Sequence, residues 1–198
     1  MGGFQPNLRR WMTFVDGENL TIRGQDLLSE ADVVPPDGLY WSKNRFMWEP
    51  GLRGTHAINS GTNHLEHTPV RSYYYTSLEG DEDALTGVRG KLWNLGFTPR
   101  VFKKDKQTQK SKGVDISLSR DMLSHAFNDH YDVAVLIAGD GDYVPLVEEV
   151  KHQGKRVLVV FFSESNGLNP ALKLAADDFF DWTHRFIQKW RDTSIQKV

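Results

Sequence analysis

The 198-residue sequence contains no cysteine and no hydrophobic run long enough to cross a membrane. Without cysteine, disulfide bonds, thiolate zinc sites and cysteine nucleophiles are excluded, so any metal would have oxygen or histidine ligands. The absence of cysteine fits a reducing compartment, and the first residues lack the apolar segment of a signal peptide. We therefore expect a cytoplasmic protein that does not bind membranes.

The sequence also lacks an excess of charge of either sign. Its 24 lysine and arginine residues against 26 aspartate and glutamate residues give a formal net charge of −2. No global positive field attracts nucleic acid, so a nucleic-acid interface would need a local basic patch. At this length, with 39% hydrophobic residues, the chain is expected to form one domain over 1–198 with a sizeable core.

Short apolar segments alternate with longer segments of helical periodicity, which is typical of βα units around a parallel sheet. Strands are predicted over 11–16, 70–76, 97–103, 132–138 and 156–162. Helices are predicted over 19–30, 81–95, 114–128 and 143–153, with a helical tail at about 183–198. The predicted fold class is α/β, with a mainly parallel central sheet of about five strands.

Residues 31–68 interrupt this alternation and are predicted to be an irregular insertion. The segment has no regular period, yet it contains five large side chains: Tyr40, Trp41, Phe46, Met47 and Trp48. Two interpretations are open. The insertion packs its own small core at the sheet edge, or it is a functional lid whose aromatic rings stack on bases.

Four aspartates stand where α/β folds place functional groups, at the carboxyl ends of strands and at the starts of helices. They are Asp16 in FVDGEN, Asp115 in KGVD, and Asp140 and Asp142 in AGDGDY. Mg²⁺ and Mn²⁺ prefer carboxylate ligands, and a carboxylate cluster repels itself unless a cation or a proton neutralises it. The pattern predicts a catalytic Mg²⁺ or Mn²⁺ site in which all four residues bind metal. Each aspartate taken alone also has a structural interpretation as a helix cap or turn former.

A basic segment, KKDKQTQKSK, leads into the Asp115 motif. Its five lysines are predicted to bind RNA phosphates, the alternative being a solvated loop: Lys103, Lys104, Lys106, Lys110 and Lys112. Lys112 is also predicted to support the site by neutralising a phosphate. Asn19 is a second supporting candidate, either as the cap of the first helix or through an amide contact with a metal-bound water or a phosphate.

Three motifs, FVDGEN, KGVD followed by DML, and GDGDYVPLVEEVKHQGKRV, resemble those of the NYN domain, the LabA-like branch of the PIN-like nuclease superfamily. The resemblance covers most of residues 12–182. It implies a three-layer α/β/α sandwich in which the first and fourth predicted strands are neighbours, so that Asp16 would lie next to Asp140 and Asp142. It also implies metal-dependent RNA cleavage by the four aspartates, and it would place Asp177, in LAADDFFDW, near the pocket.

The predicted function is therefore that of a metal-dependent endoribonuclease, with Mg²⁺ or Mn²⁺ as cofactor and single-stranded or structured RNA as partner. Two alternatives stay open: a non-catalytic RNA-binding or regulatory NYN module, and a Toprim-like or other acidic-site nuclease or phosphatase. In a Toprim-like site Glu18 would serve as the first-strand glutamate. Self-association of the chain is left open.

Overall fold

A computed structural model of the chain describes residues 9–54, 67–104, 113–164 and 167–195. Its strands are β1 (Arg9–Asp16), β2 (Trp41–Ser42), β3 (Phe46–Met47), β4 (His67–Leu78), β5 (Thr98–Lys103), β6 (Val133–Ile137), β7 (Arg156–Phe161) and β8 (Asp178–Asp181). Its α-helices are α1 (Gly17–Glu30), α2 (Glu82–Asn94), α3 (Val114–Phe127), α4 (Val144–His152), α5 (Pro170–Ala175) and α6 (Thr183–Ile195). A short 3₁₀ helix, Gly141–Tyr143, precedes α4.

Six of the strands form one sheet in the order β5-β4-β1-β6-β7-β8, and every neighbouring pair is parallel. The chain builds the sheet outward from β1 through β4 to β5, and then returns to the other side of β1 with β6. Such a reversal of strand order opens a crevice at the carboxyl ends of the two strands concerned. The switch point of this sheet therefore lies between β1 and β6.

The sheet has one strand more than the five predicted. The additional strand is β8, a four-residue segment that pairs with β7 at the sheet edge. Its residues are half-buried or exposed, so the sequence indicates only a short strand or turn before the last helix and not a sixth strand of the central sheet. The separate β2–β3 hairpin is antiparallel and lies outside this sheet.

Side chains of the strands alternate between the two faces of the sheet and fill two hydrophobic cores. The first core lies against α1, α2 and α6, and includes Leu20 of α1 and Trp190 of α6. The second lies against α3, α4 and α5, and includes Leu118, Val147 and Leu172. The predicted three-layer α/β/α sandwich is thereby confirmed. Among the residues that the structure describes, no helix is both long and apolar enough to span a membrane.

The aromatic residues of the insertion belong to the first of these cores. Phe46, Met47 and Trp48 are almost completely buried there, and the Trp48 ring packs edge-on against Phe97 at 4.8 Å and Trp182 at 5.3 Å between ring centroids. The interpretation of a separate small core is therefore wrong. These three side chains are also unavailable for stacking on bases.

An ion pair with a buried carboxylate joins the insertion to the last described helix. The Glu49 side chain is 1% exposed and pairs with Arg185 of α6, whose Nη2 lies 2.8 Å from Glu49 Oε1. Trp182 Nε1 donates a hydrogen bond of 2.6 Å to Glu49 Oε2. Both oxygens of the carboxylate are thus satisfied, which is the condition for burying a charge at tolerable cost.

We expect Glu49→Gln to destabilise the fold by about 1–3 kcal/mol, because it weakens the ion pair and leaves polar groups in the buried contact imperfectly matched. Urea denaturation followed by circular dichroism measures the change. Glu148→Gln, at an exposed position of α4, is the control and should have little effect. Equal midpoints for the two variants would show that the pair does not hold the insertion in place.

Candidate active site at the carboxyl edge of the sheet

Asp16 is the last residue of β1, and its side chain is buried, with 4% of the residue exposed. It also caps α1, since Asp16 Oδ1 accepts a hydrogen bond of 3.0 Å from the Asn19 backbone N–H. The helix starts directly after the strand because Gly17 has no side chain: a Cβ there would lie 2.0 Å from Cε1 of the Tyr74 ring. The structural and functional interpretations of Asp16 are therefore compatible.

Tyr143 joins Asp16 to Asp115, which lies in the first turn of α3. The Tyr143 hydroxyl oxygen is 3.0 Å from Asp16 Oδ2 and 3.1 Å from Asp115 Oδ1. A phenol has one proton and can donate it to only one carboxylate. The other contact is a hydrogen bond only if that aspartate is protonated and donates to the tyrosine oxygen. The geometry thus suits one proton held by the two aspartates.

Burial raises the pKa of Asp16 to about 7; the Asn19 hydrogen bond opposes this shift, and the negative charge of Asp115 adds to it. Asp115 is exposed, but partial desolvation still raises its pKa, and, against the effect of the Tyr143 hydrogen bond, the charges of Asp140, Glu18 and Asp142 raise it further. Burial and the two aspartates hold the pKa of Tyr143 far above its usual range, so its hydroxyl stays protonated. A cation would relieve the repulsion between these acids.

Asp140 and Asp142 lie on the loop that follows β6, at the same edge of the sheet. Asp140 caps the 3₁₀ helix by accepting a hydrogen bond of 3.0 Å from the Asp142 backbone N–H. Both residues are exposed. The loop requires glycine at Gly139, where a Cβ would lie 1.9 Å from the backbone oxygen of Gly167.

The prediction that Asn19 caps α1 is wrong, and its side chain has a role that was not predicted. The cap of α1 is Asp16, and the Asn19 side-chain oxygen accepts a hydrogen bond of 2.9 Å from the Gly139 backbone N–H. This contact bridges the switch point, because it ties the first turn of α1 to the loop that presents Asp140. Asn19 thereby helps to fix the relative positions of the aspartates.

Of the predicted RNA-binding lysines, Lys103 is exposed at the end of β5. Lys104 is 24% exposed and pairs with Glu18, which also accepts a hydrogen bond of 2.8 Å from Ser77 Oγ. Its ammonium group is therefore engaged at the rim of the acidic site rather than extended into solvent. The remaining three predicted lysines lie outside the described residues: Lys106, Lys110 and Lys112.

Asp177 does not lie with the other predicted site residues, and the prediction that placed it near the pocket is wrong. Its Oδ2 accepts a hydrogen bond of 2.7 Å from the backbone N–H of Val157, the second residue of β7. Its Oδ1 lies 3.4 Å from Lys151 Nζ. Because β8 runs parallel to β7, the residue that precedes β8 lies at the amino edge of the sheet, opposite the acidic site.

The aspartates match a hard divalent cation in ligand type, since each contributes carboxylate oxygens. Such an ion would also offset the cost of burying the Asp16 carboxylate and relieve the repulsion among the four acids. Among the residues that the structure describes, no group of three acidic or histidine side chains lies close enough together to bind a metal ion. The structure therefore shows a close pair, Asp16 and Asp115, with Asp140 and Asp142 on the neighbouring loop.

Two residues of the site, Tyr143 and Glu18, have roles that were not predicted. Tyr143 bridges the aspartate pair, and the only local signal is that it directly follows Asp142 in GDGDY. Glu18 was considered only for a Toprim-like site, yet it contributes to the raised pKa values of Asp16 and Asp115. Its partner Lys104 lies 86 residues away in sequence, so no local pattern indicates the pair.

A parallel α/β/α sandwich with aspartates gathered at its switch point defines an acidic-site α/β protein of the PIN-like class. The NYN domain profile matches residues 10–184, and the chain belongs to the NYN domain family, within the PIN-like nuclease superfamily. The resemblance found in the sequence motifs is thereby confirmed.

Two relatives are similar to the chain in sequence, one over most of its length and one over less than half. Low amplitude and bright protein LabA of Synechococcus elongatus is 26% identical over 196 residues, which cover 94% of this chain and 90% of that protein. An uncharacterized protein of Methanocaldococcus jannaschii is 29% identical over 84 residues, covering 42% of this chain and 31% of its own length.

A solved structure is similar in fold alone. The crystal structure of a protein of unknown function from Vibrio parahaemolyticus superposes with a TM-score of 0.63 at 16% sequence identity. The match covers 94% of this chain and 99% of that one. It supports the α/β architecture.

The raised pKa of Asp16 predicts a pH-dependent stability. Between about pH 4 and 7 the folded protein keeps a proton that the unfolded chain releases, so stability falls as pH rises through this window. A rise in the Asp16 pKa from 3.8 to about 7 corresponds to at most about 4 kcal/mol of stability. Asp16→Asn keeps a capping oxygen and removes the titration.

Urea denaturation in EDTA-containing buffer at a series of pH values tests this expectation. The stability of Asp16→Asn relative to the unsubstituted protein should increase from pH 4 to 7 and then level off. Asp178→Asn, at an exposed position, is the control. Parallel pH profiles for the unsubstituted protein and Asp16→Asn would show that Asp16 titrates normally in the fold.

Proposed function

We propose that this protein is a metal-dependent endoribonuclease that hydrolyses RNA phosphodiester bonds at the carboxyl edge of its sheet. The observation that carries the proposal is the bridged pair Asp16–Tyr143–Asp115, with Asp140 and Asp142 on the neighbouring loop. Asp16 is costly to bury next to a second carboxylate without a function that uses it. Membership of the NYN family, within a superfamily of nucleases, supports the same activity.

Asp16, Asp115, Asp140 and Asp142 would hold Mg²⁺ or Mn²⁺. When bound, such a cation lowers the pKa of a water molecule and neutralises charge on the phosphodiester. The chain itself contributes positioning: Asp16 is fixed by its backbone hydrogen bond from Asn19, and Asp115 by Tyr143. The proton shared by Asp16 and Asp115 would be released as the site becomes fully anionic.

The basic segment would bind the RNA backbone beside this site. Lys103 is exposed at the end of β5, and Lys104 pairs with Glu18, whose charge helps to raise the pKa of Asp115. Lys106, Lys110 and Lys112 belong to the same basic segment of the sequence and would bind further phosphates, with Lys112, three residues before Asp115, neutralising one of them. The absence of cysteine supports the cytoplasm as the place of action.

A second candidate function is RNA binding without cleavage. The observation that favours it is the described arrangement of acids, in which a close pair rather than a group of three converges. The raised pKa values of Asp16 and Asp115 allow this pair to hold a proton near neutral pH. The arrangement of acids would therefore persist without a metal. The two functions differ in cleavage and in their response to Mn²⁺.

The activity test uses purified protein with end-labelled RNA and Mn²⁺, Mg²⁺ or EDTA. We expect cleavage with a divalent cation and a loss of at least about 100-fold in Asp140→Asn and in Asp16→Asn, since each removes a charged oxygen from the site. Asp177→Asn, at the opposite edge, is the matched control and should retain activity. Undiminished cleavage by both site variants would refute the proposed role of the aspartates.

A separate test measures cation binding without any substrate. Mn²⁺ should raise the melting temperature of the unsubstituted protein in a concentration-dependent way, because a ligand that binds only the folded state stabilises it by about 2.7 kcal/mol at one hundred times its dissociation constant. Differential scanning fluorimetry records the shift, which should be lost in Asp16→Asn. An equal shift in that variant would place the cation elsewhere.

A further inference from the structure

Three arginines lie together on the side of the sheet that faces α3, near its β5 edge. They are Arg71 of β4, Arg100 of β5 and Arg120 of α3, and we refer to them as the arginine cluster. All three are exposed, the side chains of Arg100 and Arg120 by 43% and 68%. β5 is the edge strand, and α3 packs against β1 and β4, so this surface is open to solvent.

A largely buried carboxylate orients two members of the cluster. Asp121, whose side chain is 11% exposed, accepts hydrogen bonds of 3.0 and 2.8 Å from Arg120 and lies 3.5 Å from Arg100 Nε. Its other oxygen accepts a hydrogen bond of 3.1 Å from the Tyr75 hydroxyl. Two guanidinium groups share one carboxylate, which leaves a net positive charge. Each guanidinium has five N–H donors, so donors remain for an anion.

Tyr73 holds the other side of the cluster. Arg71 donates a hydrogen bond of 3.3 Å to the Tyr73 hydroxyl, and Arg100 lies over the Tyr73 ring at 5.4 Å from its centroid. The same hydroxyl contacts His125 Nε2 at 3.1 Å. Arg71 and Arg100 are therefore attached to one rigid, buried ring, which reduces the entropy lost when they bind a ligand.

The cluster lies close to the acidic site. Strand register pairs Asp16 with Tyr75 and Tyr75 with Arg100, so Arg100 and Asp16 are two strand spacings apart, about 10 Å between their backbones. On α3, Arg120 follows Asp115 by five residues, a rise of about 7.5 Å. A polyanion bound by the arginines would reach the aspartate pair within a few nucleotides.

We propose that the arginine cluster binds the phosphates of a single-stranded RNA whose next nucleotides enter the site at Asp16 and Asp115. The RNA identity of this ligand rests on the proposed function. Guanidinium groups pre-oriented by a carboxylate suit bidentate recognition of phosphate. The cluster thus supplies the local positive charge that the overall balance of −2 does not.

The test measures binding without cleavage, by fluorescence anisotropy of a labelled single-stranded RNA in EDTA at several salt concentrations. The double variant Arg100→Gln/Arg120→Gln should bind the RNA at least about tenfold more weakly. The slope of log affinity against log salt concentration should also be shallower by about 1.4, because two phosphate contacts with a single strand are lost. Arg156→Gln, an exposed arginine at the amino end of β7, is the matched control.

A second variant guards against loss of folding, because the double variant removes both arginine partners of Asp121. Arg71→Gln leaves Asp121 paired and should make the salt dependence shallower by about 0.7. Melting temperatures verify that each variant is folded. Affinities and salt slopes equal to those of Arg156→Gln in both variants would overturn the proposal, as would failure of the unsubstituted protein to bind RNA.

The outcome is separable from that of the cleavage assay. If the unsubstituted protein binds RNA in EDTA but does not cleave it with Mn²⁺, the endoribonuclease proposal fails, and weakened binding by the cluster variants still supports the arginine cluster. If the protein cleaves RNA while the cluster variants bind like the control, the arginine cluster proposal fails alone.

Discussion

The burial of Asp16 is the constraint on which the site depends. A carboxylate at the end of the central strand β1, 4% exposed, must be hydrogen-bonded, protonated or paired with a cation. The fold meets this requirement with the first turn of α1 on one side and Tyr143 on the other. Because Tyr143 also reaches Asp115, the same requirement joins β1, α3 and the loop after β6 at one point. The acidic site therefore depends on the strand order of the sheet, which places the end of β1 beside the loop after β6.

Close backbone approaches keep this arrangement rigid. Gly17 allows Tyr74 to lie against the start of α1, and Gly139 allows the loop after β6 to contact Gly167. Asn19 then connects those two turns across the switch point. Each contact lies outside the set of charged groups, yet each restricts where the charged groups can move. The large aromatic core on the α1, α2 and α6 side of the sheet, to which Trp48 and Trp182 contribute, offsets the cost of keeping acids partly desolvated.

The sequence was sufficient to predict the α/β class and the location of Asp16, Asp115, Asp140 and Asp142 at strand ends and helix starts, because strand burial and helix periodicity are local patterns. It was not sufficient for features that depend on which distant segments meet. Asp177 has the same local appearance as a site residue, and only the direction of β8 relative to β7 places it at the opposite edge. The aromatic insertion gave a similar error, since Phe46 and Trp48 have no period but pack beneath α1 and α6.

The ion pair of Glu49 with Arg185 has a consequence for how the chain reaches this fold. Glu49 is separated from Trp182 and Arg185 by 133 and 136 residues, and the sheet between them is built from strands that are far apart in sequence. During synthesis the insertion is made long before its partners, so Glu49 cannot be buried favourably until α6 has left the ribosome. Other residues of the insertion bind β4, through hydrogen bonds of Met47 with Tyr74 and of Arg45 with Thr76, so only the Glu49 contact has to wait for α6.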